Sequence, residues 1–254
     1  MKRLFRVALL LAVLGGAAAL YTLRPRIPAA ERGRRIAERE GCFGCHGAEG
    51  THGAANPGRT DKTVPNYVGD VMMFANDRNE IREWIRDGST ASRRASETWR
   101  TQRQRGALRM PAYKERLGAG DIEDLVAFVA AQAGIDAPED SLAARGLARA
   151  EELGCVGCHG AGGRLARPNP GSLKGYVPSW DGADFAELVH GRAEFEEWVA
   201  NGVAARLKKN PAAVFFLRRA ALKMPSFRAH LAPGDAEALW AYVTWLRSPA
   251  GSRP

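Results

Sequence analysis

The sequence predicts an all-α chain in which two similar helical stretches follow an N-terminal apolar helix. Three observations carry this. The pattern Gly-Cys-x-Gly-Cys-His-Gly at 41–47 returns at 154–160. Residue types far beyond that pattern recur at one near-constant separation. The segments around it carry the 3.6-residue apolar spacing of helices.

In chain order, Met1–Arg6 is basic and Val7–Leu23 is apolar apart from Thr22 and two glycines. Two readings stand: a signal peptide cut near Ala17-Ala18-Ala19, or an uncleaved anchor at the short end of the roughly 17–25 residues that a spanning helix needs. Tyr21 as an interfacial residue and the continuation through Leu20–Leu23 favour the anchor, and the basic start places the N-terminus inside. Arg24–Pro28 is a stiff juncture. Ala29–Glu40 is a helix candidate that stops at Gly41. Gly134–Asp140 carries glycine and proline and reads as a linker, and Ser141–Leu153 repeats the first helix. Ile122, Leu125, Val126 and Val129 form an i, i+3, i+4, i+7 stripe, repeated by Ala236, Leu239, Trp240 and Val243. Asp121 and Asp235 are the expected N-caps. The boundaries that follow are 1–28, 29–136 and 137–254.

The repeat is explicit. An offset of 113 joins Cys42 to Cys155, Gly33 to Gly146, Pro57 to Pro170, Val64-Pro65 to Val177-Pro178 and Tyr67 to Trp180. After one inserted residue, an offset of 114 joins Trp84 to Trp198, Gly88 to Gly202, Met110-Pro111 to Met224-Pro225 and Phe128 to Tyr242. Matched positions are expected to do matched jobs.

Each Cys-x-x-Cys-His places two thiols where they can add to the vinyl groups of one haem while the next imidazole reaches iron. The candidates for covalent attachment are Cys42, Cys45, Cys155 and Cys158, with His46 and His159 as axial ligands. These are all four cysteines of the chain. A zinc pair would need further Cys or His partners, and the three histidines outside the motifs are not repeated.

The second axial ligand decides between electron transfer and an open iron. Met110 and Met224 recur, each before a proline that fixes the local backbone. Met72 and Met73 have no counterpart, and His52, His190 and His230 are not repeated. A lone Met reads as core filler; a matched pair reads as ligands. An iron-bound histidine usually donates its other N–H to a carbonyl, and Pro57 or Pro170 is the expected acceptor, beside the plain reading of an Asn-Pro-Gly turn. Tyr67 and Trp180 are expected to donate to haem propionates or to pack. Trp84 and Trp198, on helical patterns, are expected to pack.

Net charge is +9. Residues 1–29 hold five Lys/Arg and no acid, 30–137 hold 17 basic and 16 acidic residues, and 138–254 hold 15 and 12. The later segments are nearly balanced and roughly half the excess sits beside the apolar segment, which gives nucleic-acid binding little support.

These motifs resemble class I cytochromes c, present here as a tandem pair over about residues 30–134 and 140–248. The resemblance implies two covalently bound haem c groups, and an N-terminal helix crossing a C-terminal one, with Gly33 against Phe128 and Gly146 against Tyr242. It also implies haem attachment on the oxidising side of a bacterial membrane. The chain departs from the family in its arms. Ala91–Arg109 holds six Arg and one Glu, and Val203–Lys223 holds six Lys/Arg and no acid. They read either as solvated helical insertions or as a positive rim that steers an acidic redox partner, with Arg93, Arg94, Arg100, Arg103, Lys208, Lys209, Arg218 and Arg219 as candidates.

The leading expectation is an electron carrier, not an enzyme, on the periplasmic side of a bacterial inner membrane. It is anchored there, or soluble after cleavage. Family resemblance suggests a quinol-oxidising complex as donor and a terminal oxidase or reductase as acceptor. Two other readings stand: a dihaem peroxidase-like enzyme or catalytic haem subunit with one open iron, and a dedicated electron-transfer subunit of a dehydrogenase or oxidase. A gas sensor fits less well.

Overall fold

The computed structural model describes residues 2–139 and 141–248. Met1, Asp140 of the expected linker and residues 249–254 lie outside them, as do the side chains of Ala18 and Ala19 in the expected cleavage run. The helices are α1 (Lys2–Leu23), α2 (Ala29–Arg39), α3 (Phe43–His46), α4 (Arg78–Asp87), α5 (Ala91–Ala95), α6 (Glu97–Arg105), α7 (Ala119–Ala133), α8 (Leu142–Glu152), α9 (Cys155–His159), α10 (Ala183–Leu188), α11 (Arg192–Asn201), α12 (Ala205–Lys208), α13 (Pro211–Arg219) and α14 (Asp235–Arg247). Among the described residues there is no strand. Two isolated bridges, Ala55–Thr63 and Pro168–Tyr176, stand 113 residues apart. Residues 29–139 are called the first half below, and 141–248 the second.

In the first half α2 crosses α7. The predicted stripe Ile122, Leu125, Val126 and Val129 is buried, with Phe128 fully so. Gly33 permits the crossing: a Cβ there would stand 1.9 Å from the Asp124 carbonyl oxygen. The group nearest Gly33 is therefore backbone, and the expected partner Phe128 packs one turn further on. In the second half α8 crosses α14, and a Cβ on Gly146 would stand 2.0 Å from the Ala238 oxygen and 2.8 Å from Tyr242 Cβ. Any side chain at either glycine would force the helices apart.

The helix starts differ from expectation. α7 begins two residues before Asp121, with Gly118 as an N-cap that offers no side-chain bond. Asp121 sits instead in the first turn, where a negative charge still favours the helix dipole. Asp235 is the first residue of α14, and Gly234 caps it. The Asp235 carboxylate is occupied elsewhere, accepting from Ala232 N–H at 2.7 Å and from Arg149 at 2.8 Å.

The halves touch. Leu165, fully buried, joins the first core. Glu49 lies 3.3 Å from Arg34 of its own half and 3.5 Å from Arg167 of the other. Ahead of α2, Arg26 pairs with Glu187 at 2.9 Å. Among the described residues no helix is long and apolar enough to cross a membrane. The described apolar side chains of α1 are largely exposed, Leu11 at 64% and Leu20 at 75%.

Candidate haem centres

Each Cys-x-x-Cys-His folds into a short helical turn, Cys42 with α3 and the whole of α9. In the first half both thiols and the imidazole line one cleft. His46 Nδ1 donates to the Pro65 carbonyl at 2.7 Å, and His159 Nδ1 to the Pro178 carbonyl at 3.1 Å. A carbonyl only accepts, so Nδ1 holds the proton and Nε2 is left free as a ligand. Burial pushes both imidazoles toward the neutral form, opposed in part by these bonds, and His159 falls to about 4.

The acceptors are thus Pro65 and Pro178, not Pro57 and Pro170. The Pro57 carbonyl accepts from Ala107 N–H at 3.0 Å, and the Pro170 carbonyl from Ala221 N–H at 2.9 Å. Pro57 and Pro170 open the turns that receive the returning arms, so they serve the methionine side.

Tyr67 and Trp180 pack. Their rings lie 4.7 and 5.0 Å from the rings of His46 and His159, and each meets an aromatic edge, Phe128 at 6.1 Å and Tyr242 at 6.0 Å. Burial raises the Tyr67 phenol well above its ordinary range. The ring behind each histidine fixes its plane. Trp84 and Trp198 also pack, but each indole N–H is used as well, donating to Phe74 O at 2.9 Å and to Leu188 O at 3.2 Å.

The methionines are held by their loops. Asn56, 3% exposed, accepts from Leu108 N–H at 2.8 Å and donates to Leu108 O at 3.1 Å. Asn169 does the same to Leu222, at 2.8 and 3.0 Å. Both bonded residues precede the methionine by two. Gly88, the left-handed C-cap of α4 (φ +70), lies under the Met110 carbonyl, where a Cβ would approach to 2.6 Å; Gly202 (φ +73) lies under Met224 in the same way, at 2.3 Å.

Cys42, Cys45, His46 and Met110 line one cleft in the first half, whose walls include Ile81, Ile85, Leu125 and Val129. Two thiols, an imidazole with a free nitrogen, a thioether and an apolar wall fit a covalently bound haem c. In the second half Cys155 and Met224 border the core around Trp180, Phe195 and Tyr242. When bound, the haem supplies a one-electron ferric/ferrous couple. The chain's part is to attach it, orient its ligand and keep water off.

The remaining candidates are scattered. Met72 and Met73 are exposed. His52 contacts Thr51, and His190 lies 3.9 Å from Glu194. Arg93 donates to Met73 O at 2.9 Å and lies over the rings of Phe74, Trp84 and Trp99. Arg94 bonds Ser89 O. Arg103 lines the cleft. Arg100, Lys208, Lys209, Arg218 and Arg219 are exposed. The sequence reading missed the roles of Asn56, Asn169, Pro65 and Pro178, although all four recur at the 113 offset.

Residues 30–133 match the model of the family described as cytochrome c, a stretch of less than half the chain. The match supports a c-type cytochrome with covalently bound haem and haem-based electron transfer in general. No curated protein and no solved structure matches the chain.

Proposed function

We propose that the chain is a dihaem c-type cytochrome that passes single electrons between redox proteins. One observation carries this reading. The same set of contacts surrounds each Cys-x-x-Cys-His: a proline carbonyl on Nδ1, a ring behind the imidazole, an asparagine on the methionine loop and a glycine beneath the methionine. The first half matches cytochrome c, and the second repeats its local geometry residue by residue. Cys42 and Cys45 hold one haem and Cys155 and Cys158 the other. His46 with Met110, and His159 with Met224, close the two irons. Closed sites leave no place for a substrate, which supports a carrier over a peroxidase-like enzyme.

The exposed apolar side chains of α1 and its basic start support membrane association, on the exported side of a bacterial inner membrane. The partners are redox proteins, a quinol-oxidising donor and an oxidase or reductase acceptor. Among the basic residues of the arms, the exposed Arg100, Lys208, Lys209, Arg218 and Arg219 are free to meet an acidic surface.

The test is haem content per chain by pyridine haemochrome, with ferric and ferrous spectra in the presence and absence of carbon monoxide. Two haems, a sulfur-to-iron charge-transfer band and no carbon monoxide adduct support the proposal. One haem, or a carbon monoxide adduct on the native protein, overturns the closed dihaem reading.

A further inference from the structure

The two halves differ in the residues that line, or stand in register with, the first-half cleft. In the first half Arg59 and Arg103 line it, with Trp99 beside them. α6 and α13 are both nine residues long and stand 114 residues apart, and Gly106 and Ala220 close them in the same way, through Gln102 O and Phe216 O. This register places Leu217 at the position of Arg103 and Ala213 at that of Trp99. Arg59 N–H donates to Asn56 O at 3.3 Å as Ser172 N–H donates to Asn169 O at 3.2 Å, so Ser172 stands for Arg59.

The substitutions are coupled within the chain. A Cβ on Gly106 would come within 2.7 Å of Arg59 Cγ, so the arginine stem uses the space that the glycine leaves. The second half has the opposite pair, the short Ser172 with Ala220, which is buried. Only the first half is built to hold a long cationic side chain there. Its guanidinium lies 4.6 Å over the Trp99 ring, and the Trp99 indole N–H is already given to Ser89 Oγ at 3.1 Å.

The other charges near these positions do not erase the difference. Asp61 accepts from both Arg59 Nε at 3.0 Å and Nη2 at 2.8 Å, so that pair is close to neutral and the charge difference between the halves rests on Arg103. Among the described residues Arg103 has no carboxylate partner; its contact is the Met110 carbonyl at 3.4 Å. Lys174, which replaces Asp61 in the second half, is tied at 2.6 Å to both Asp184 and Glu187. Arg109 and Lys223, the residues before the two methionines, are both cationic.

We propose that Arg59 and Arg103 bind the carboxylate end of the haem in the first half, and that this makes the site of His46 and Met110 the higher-potential one. The claim rests on the dihaem reading. Reduction removes one positive charge from the iron, so nearby cations favour the ferrous form. With haem bound at both sites, one electron would pass from the site of His159 and Met224 to that of His46 and Met110, with no bond made or broken. Electrons therefore enter through the second half and leave through the first.

The experiment uses the full chain loaded with haem. Haem content is measured first, because one haem per chain overturns the dihaem reading and the ordering with it. With two haems present, the potentials are read by optical titration of the wild type, Arg103→Leu, Arg103→Lys and Leu217→Arg. The expected result is two resolved potentials. Arg103→Leu lowers the upper one alone, changing the ferrous-to-ferric ratio at fixed poise by about tenfold, the effect of one unit charge several ångströms away at an intermediate dielectric. Arg103→Lys restores most of the loss, and Leu217→Arg raises the lower potential. Potentials that do not move, or that move together, overturn the proposal. Leu217→Arg adds a charge rather than removing a contact, so it still tests the ordering if Arg103→Leu folds poorly.

Discussion

Replacing Asn56 with alanine should release Met110 before it unfolds the chain. The Asn56 amide closes two hydrogen bonds with the backbone of Leu108, at 2.8 and 3.1 Å. A neutral hydrogen bond contributes about 0.5–1.5 kcal/mol net, so the pair contributes about 1–3 kcal/mol. Asn56 is buried, while Leu108 is 37% exposed, so water reaches part of what is freed. The lower part of the range, about 1–2 kcal/mol, follows. A shift of about 1.4 kcal/mol changes an equilibrium tenfold. That is large against a weak thioether–iron bond and small against the stability of a domain. The ferric sulfur-to-iron band should therefore weaken in the variant and carbon monoxide should bind one ferrous haem, while the denaturation midpoint falls modestly. Asn169→Ala should do the same at the second site. An undiminished band together with a stability loss under about 0.5 kcal/mol, the scatter of neutral surface changes, would refute this role.

Gly202→Ala meets both a left-handed backbone and the Met224 carbonyl at 2.3 Å; it should cost about 2–4 kcal/mol and displace Met224, read by denaturation and by the charge-transfer band. Arg93→Gln should cost about 1–2 kcal/mol through its lost ring contacts, whereas Arg100→Gln, exposed, should cost under about 0.5 kcal/mol; equal melting losses would contradict this. The Glu194 carboxyl is held at about 2, first by its hydrogen bond from Arg206 and then by the His190 N–H, against an ordinary 4.5. A depressed carboxylate stabilises the fold above the ordinary value and loses that as pH falls from 4.5 toward 2. Glu194→Gln should accordingly lower the melting temperature at pH 7, with the difference shrinking toward pH 2.

Much of the site was legible in sequence because it is local. Cys42, Cys45 and His46 fall within one helical turn, so their spacing alone fixes their relation. The stripe Ile122–Val129 was legible because a 3.6-residue period reports a buried helix face. The repeat added Met110 and Met224 as candidate ligands, since a residue that returns at one offset is less readily a chance core filler.

Tertiary structure decided which polar groups meet across loops. Proline carbonyls carry no chemical signature of their own, so choosing Pro65 over Pro57 required the path of the chain past the imidazole. Asn56 reads in sequence as part of a turn, yet its amide reaches a residue 52 positions later. In sequence the arms read as solvated helical insertions or as a positive rim, with no partner for any one cation. In the fold Arg93 stacks on aromatic rings and Arg103 enters the cleft, because a long side chain can place its stem on apolar surface and its charge elsewhere. Sequence by itself determined the helices that open and close each repeat and the two Cys-x-x-Cys-His motifs, which short-range spacing sets, and the repeat itself. Only the packed structure decided which backbone groups hold each histidine and each methionine loop and which cations line the first-half cleft, because those contacts join residues far apart in the chain.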